Sequence, residues 1–236
     1  MTALLLLVLA SSPPDAGVSL SALEVVKTAR PLEGAPGRGP AALVVLDGTV
    51  TLRSCTGPVT LRAGEAALVE GQFRERLEVD AKAKARVLVA ATRDGELAAR
   101  PCHRGDGGSA LPFVLPRVSP EVWPLPGNLG AVTLLAGQHL ADQLSVAKLF
   151  LAADAGVPRH LHPVSLEALH AVSGDGALEV ADAGSSVKAG ETVLIPAATW
   201  HEFRAGRAFT GWQFYWPAGP EQRFRKVDAG TPTGPR

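Results

Sequence analysis

From Ala41 onward the chain consists of short apolar runs of strand length, each closed by Gly, Asp or Pro, with no sustained period of 3.6. Runs of four to eight residues bounded by turn chemistry form strands, and a chain built from them folds as sheets packed on sheets. Residues 41–52, AALVVLDGTVTL, place Asp47-Gly48 between two apolar runs, which predicts a hairpin. Residues 65–71, 76–80 and 85–92 continue the first set of strands. Residues 131–137, 145–153, 176–182, 192–197 and 209–216 supply a second set. Between the sets, residues 93–130 are rich in Gly and Pro and read as a connection, with one short strand at 112–115. The 25 Gly and 19 Pro serve the many turns that such strands need. The fold class is all-β.

The two halves resemble each other. LRAGEAALVEG at 61–71 matches VKAGETVLIPA at 187–197 in AGE-x-x-L, and the same offset sets Gly48 opposite Gly174. Two copies of one β unit explain this pattern. A double-sheet jelly roll is the closed form that leaves few strand edges unpaired. The expected units are 17–100 and 131–236, joined by 101–130, with 1–16 as a leader and short linker.

That leader is read from ALLLLVLA at 3–10, an uncharged apolar run followed by Ser11, Ser12, Pro13, Pro14 and Asp15. It is too short to span a bilayer and has the length of a signal-peptide core, with a cleavage site after Ala10. No Lys or Arg precedes it, and a buried N-terminal strand is the alternative. An exported chain is secreted or periplasmic, where Cys55 and Cys102 could form one disulfide; otherwise they are two buried thiols. The 23 basic and 23 acidic residues balance, and no basic stripe occurs, which argues against nucleic acid as a partner. No stretch is long enough for a stable membrane span.

Four of the six His lie between His160 and His201. On a strand, His160 and His162 would face one side. After a turn containing Pro163, the next strand can return and aim the Glu167 carboxylate at the same point. His201 follows the run 192–197 and a tight segment containing Pro196. Three imidazoles and one carboxylate suit a divalent iron, manganese, nickel, copper or zinc ion. His170, three residues after Glu167, falls on the opposite face and reads as exposed or interdomain. Phe203 shares the face of His201. Trp212, Phe214 and Trp216 share a face opposite Gln213 and Tyr215. These aromatics are either barrel core or an apolar pocket around the ion that accepts a small ligand.

The spacing Gly156-x3-His160-x-His162-x4-Glu167-x6-Gly174, followed by Gly190-x5-Pro196-x-Ala198-x2-His201, resembles the two motifs of the cupin superfamily. The resemblance implies a jelly-roll barrel with His160, His162, Glu167 and His201 as metal ligands. With the internal repeat, it implies two cupin-type barrels in one chain, a bicupin. It also implies oxygenases, including dioxygenase-like enzymes, decarboxylases and isomerases as candidate chemistries on a small molecule, or a non-catalytic ligand-binding cupin with a structural metal. Glu167 would remain a ligand or shuttle a proton. Barrels of this kind pair through sheet edges, which implies a homodimer. Three departures stand out: Gly156 sits two residues closer to the first His than in the family, Ala198 replaces a glycine, and Ala205 stands where Asn is common. In the N-terminal unit Glu75 takes the place of His201 and no His precedes His103, so that unit is expected to be structural.

Overall fold

The structure is a computed structural model and describes residues 6–7, 18–25, 30–31, 39–54, 57–69, 78–81, 83–92, 114–116, 121–125, 127, 129–136 and 143–229. Cys55, Glu75, Cys102, His103 and His139 lie outside the described residues, as does most of the apolar run 3–10. Leu6 and Leu7 form a short strand, β1 (Leu6–Leu7). The chain divides into two units, Met1–Val118 and Ser119–Arg236.

The N-terminal unit continues with β2 (Val18–Val25), β3 (Arg30–Pro31), β4 (Ala41–Asp47), β5 (Thr49–Ser54), β6 (Gly57–Arg62), β7 (Ala66–Val69), β8 (Glu78–Asp80), β9 (Ala85–Thr92) and β10 (Val114–Pro116). One sheet runs β1-β2-β9-β4-β7-β10 and the other β3-β8-β5-β6. Leu43 and Val45 of the first sheet and Val50, Leu52 and Leu61 of the second share one buried core.

The C-terminal unit contains β11 (Glu121–Pro124), β12 (Gly130–Ala136), β13 (Ser145–Leu151), β14 (Gly156–His160), β15 (Leu166–Ser173), β16 (Asp175–Val180), β17 (Ala183–Lys188), β18 (Thr192–Ile195), β19 (His201–Ala205) and β20 (Phe209–Trp216). Its sheets run β11-β12-β13-β20-β15-β18 and β14-β19-β16-β17. A 3-10 helix, Pro220–Ala229, follows. Leu149, Leu169 and Phe209 of the larger sheet meet Val157, Leu178 and Phe203 of the smaller in one core, which Phe224 of the 3-10 helix completes. Among the described residues no helix is long and apolar enough to cross a membrane.

The strand order β2-β9-β4-β7 over β3-β8-β5-β6 recurs as β13-β20-β15-β18 over β14-β19-β16-β17. The likeness reaches single hydrogen bonds. Glu65 Oε2 accepts the Arg62 N–H at 2.8 Å, and Glu191 Oε2 accepts the Lys188 N–H at 2.8 Å. The Gly64 N–H donates to the Val45 carbonyl and the Gly190 N–H to the Ala171 carbonyl, each at 2.8 Å. AGE is therefore a turn: the glycine takes positive φ (+83° and +88°), and the glutamate closes the loop onto the backbone three residues earlier.

Two sequence expectations are corrected here. β4 and β5, joined through Gly48, do not pair as a hairpin; they lie in different sheets. Asp47-Gly48 is a corner at which the chain leaves one sheet for the other, and the register shift between Val45 and Asp47 turns it. Both flanks are buried, so apolarity gave no sign that the partners lay elsewhere. The C-terminal unit also begins earlier than residue 131, because β11 pairs with β12 inside the segment read as a connection.

Gly174 and Gly190 separate two kinds of glycine requirement. A Cβ at Gly174 (φ +80°) would sit 2.3 Å from the Ala208 carbonyl oxygen, whereas one at Gly190 (φ +88°) meets nothing within 4 Å. Gly190→Ala is expected to cost about 1–2 kcal/mol, the left-handed penalty alone. Gly174→Ala is expected to cost at least about 2 kcal/mol more, because backbone must move. Denaturant unfolding of the two variants measures the difference.

Candidate metal centre

The four predicted ligands come from both sheets of the C-terminal unit. His160 ends β14 and pairs across the smaller sheet with His201, the first residue of β19. Glu167 stands on β15 of the larger sheet, opposite Tyr215 of β20. His162 lies in the segment that carries the chain between the sheets, not on a strand with His160 as the spacing suggested. The four ligating atoms nonetheless lie within 4.8 Å of one another. Ring centroids are 4.9 Å apart for His160 and His162, 4.1 Å for His160 and His201, and 5.0 Å for His162 and His201.

Local backbone aims the rings. His160 Nδ1–H donates to the Pro158 carbonyl at 2.7 Å, and His201 Nδ1–H donates to the Thr199 carbonyl at 2.9 Å. In both, a carbonyl two residues earlier fixes the tautomer and leaves the Nε2 lone pair free, as a metal-binding imidazole requires. The edge position of β14 tolerates Pro158, and a register shift between Val157 and His160 turns the strand end. Ala198 ties the two motifs together: its N–H donates to the His162 carbonyl at 2.7 Å. Its φ is +55°, so the glycine it replaces would have been free of strain there, and alanine costs about 1 kcal/mol.

Glu167 is buried, and both its oxygens are engaged. Oε1 accepts Gln213 Nε2–H at 2.9 Å. Oε2 lies 3.0 Å from His162 Nε2 and 3.4 Å from His201 Nε2. Burial alone would raise its pKa, but the His162 and His201 ring nitrogens beside Oε2 outweigh it and hold the carboxyl below the usual range. Burial pushes His160 down to about 3, helped by the charges of Arg223 and His201. Burial also lowers His162, against the pull of Glu167. The centre thus sets an ionised carboxylate beside His160 and His162, in which burial favours the neutral imidazole. His160 Nε2 and His201 Nε2 are buried with no hydrogen-bond partner. Buried lone pairs without a donor are costly, and a divalent ion would satisfy them. The donor set therefore fits a first-row divalent metal.

Phe203 is brought to the inner face with His201, where its ring packs 4.6 Å from that of Phe209. Trp212, Phe214 and Trp216 are not brought to the centre. They occupy the other face of β20, while Gln213 reaches Glu167 and the Tyr215 ring lies 5.4 Å from His162. β20 is buried almost throughout, so apolarity could not tell its faces apart. The available signal was Gln213, a buried polar residue flanked by aromatics, which demands a polar partner inside. Tyr215 is also buried, and burial together with the Glu167 charge raises its pKa well above the usual value. His170, expected to be exposed or interdomain, is not exposed: it is buried and bonds Thr192 Oγ1 at 2.9 Å.

Residues 149–207 match the Cupin domain family. No curated protein matches the chain in sequence. Among solved structures, Ylba from E. coli is 15% identical over 89% of this chain and 82% of its own, with a TM-score of 0.64. Oxalate decarboxylase of Lactobacillus farciminis, in its formate complex, is 14% identical over 84% and 77%, with a TM-score of 0.60. The 11S globulin of Wrightia tinctoria, described with an auxin binding site, is 12% identical over 86% and 76%, with a TM-score of 0.64.

The low pKa of His160 gives a pH test. Between about 6.5 and 3 the unfolded chain takes up a proton that the folded chain refuses, so stability falls as pH falls through this window. His160→Gln is expected to flatten that dependence in thermal unfolding of metal-free protein. An unchanged slope would contradict the assignment. Motif, strand order and the geometry of the four side chains agree with the match of residues 149–207 to the Cupin domain family.

Proposed function

We propose that the C-terminal unit binds one divalent transition metal through His160, His162, Glu167 and His201 and acts on a small organic molecule. The observation that carries this reading is the convergence of four ligating atoms from two sheets and the segment between them, two of them buried nitrogens without hydrogen-bond partners. When bound, the metal would supply Lewis-acid or redox chemistry to a substrate oxygen, as an oxygenase, decarboxylase or isomerase requires. Glu167, held ionised with both oxygens occupied, is a poor base; a ligand role suits it better than proton shuttling. Tyr215, kept protonated beside it, is the proton-bearing group of the site.

A second reading has an observation of its own. The ligands belong to both sheets, so an ion would staple them, and the metal could be structural in a ligand-binding cupin. The N-terminal unit has the same strand order and no His before His103, which supports a structural role for it and a bicupin reading of the chain. The apolar run 3–10 supports export with cleavage after Ala10, to be read by N-terminal sequencing of the secreted or periplasmic protein. Assembly as a homodimer is read by light scattering.

Metal analysis of the purified chain is expected to find about one ion per chain, and background levels in His160→Ala and His201→Ala. Turnover of any member of a panel of phenols, diketones and short carboxylic acids supports the enzyme. Full metal content with no turnover, and a lower melting temperature on chelation, favours the structural metal. Gln213→Leu removes the donor that orients Glu167 and is expected to weaken metal affinity about 10- to 100-fold, by competition titration.

A further inference from the structure

β14 is an edge strand of the smaller sheet, and its hold on β19 is thin at the ligand end. Gly156, Val157 and His160 pair with Arg204, Phe203 and His201, while Pro158 and Arg159 fall in the register shift between Val157 and His160. Pro158 has no N–H to give to a ladder. Side chains on the outer face of the sheet supply what the backbone lacks there.

Successive residues of a strand face opposite ways, so Arg159 points out where His160 points in. The Arg159 guanidinium reaches across β19. Its Nη1–H donates to Glu179 Oε1 on β16 at 3.2 Å, and its Nη2–H donates to Asp182 Oδ1 at 2.7 Å. Asp182 belongs to the turn between β16 and β17, where Ala181 and Asp182 both take positive φ (+49° and +65°). The Ala181 N–H of that turn donates to the Trp200 carbonyl at 2.9 Å. The Trp200 ring centroid in turn lies 6.0 Å from the guanidinium, at the reach of a cation–π contact. Arg159 therefore holds both ligands from behind: it precedes His160 in the chain, and the Trp200 that it faces precedes His201. Glu179 also stands directly opposite Glu202 of β19, and like charges so placed repel unless a cation offsets them.

The clamp is exposed, with 46% of the Arg159 side chain and 77% of Asp182 in contact with solvent. Exposed ion pairs add little to global stability and are screened by salt. Metal binding is less forgiving, because loss of a group that orients a ligand lowers affinity about 10- to 100-fold. We infer that Arg159 is a positioning residue of the metal centre, an ionic clamp that sets the separation of His160 and His201 from the outer face and makes metal retention sensitive to ionic strength. This rests on the metal reading above and adds to it a side chain that acts through the backbone of two ligands.

The test is competition titration of the full chain with Co(II), whose visible spectrum reports coordination, in wild type, Arg159→Ala and Arg159→Lys. Arg159→Ala is expected to bind Co(II) about tenfold more weakly, with an altered spectrum and a metal-free melting temperature within about 4 °C of wild type. Arg159→Lys, a point charge without the fork, is expected to fall between the two. At about 1 M salt the affinities of wild type and Arg159→Ala are expected to converge. Equal affinity and spectrum at low salt overturn the inference. So does a loss accompanied by a larger fall in melting temperature, which marks damage to the fold. A gap that keeps its full width at high salt overturns the ionic clamp. Should wild type bind no Co(II), the metal reading fails on its own. Nuclear Overhauser contact between the His160 and His201 rings of metal-free protein then decides: weakened in Arg159→Ala, it keeps the positioning role, and unchanged, it removes it.

Discussion

An ionised carboxylate buried inside the C-terminal unit is the constraint around which the rest is arranged. Glu167 is 3% exposed, and such a charge costs several kcal/mol unless its surroundings replace water. Gln213 does so on one oxygen, and His162 on the other. These partners fix the register of β20 against β15, because a slip of one residue would turn Gln213 away and bring an aromatic inward. They also fix the crossing segment that carries His162, which the Ala198 N–H holds from the second motif. The acid sits on one sheet and two imidazoles on the other, so the polar centre and the sheet-to-sheet packing depend on each other.

The same scaffold is used twice and equipped once. The N-terminal unit repeats the strand order, the positive-φ glycines and the glutamate-closed turn of the C-terminal unit. These features serve the backbone and need no metal. What differs is the supply of imidazoles: no His precedes His103, while His160, His162 and His201 gather in the second unit. Turn chemistry and ligand chemistry are therefore separable in this fold, the first set by backbone conformation and the second by a few side chains placed at strand ends.

Much of the fold and the ligand set was legible in the sequence. Strands with a buried apolar face announced themselves, and AGE-x-x-L marked the repeat because the turn needs glycine and a carboxylate at fixed positions. The ligands were visible because a metal needs those residue types at a spacing that bridges two strands. Other parts were not. β17 is mostly exposed and polar, so AGSSVK carries no strand signal. Asp47-Gly48 looked like a hairpin because local sequence specifies a turn and not the sheet in which the next strand will pair. The faces of β20 could not be told apart, since both are buried.

X-ray absorption at the metal edge of the loaded protein reads the ligand set of the C-terminal centre itself. One ion with three nitrogens and at least one oxygen at about 2.0–2.2 Å is expected, with loss of a nitrogen scatterer in His201→Ala. An ion coordinated by oxygen alone, or an unchanged shell in His201→Ala, would contradict it.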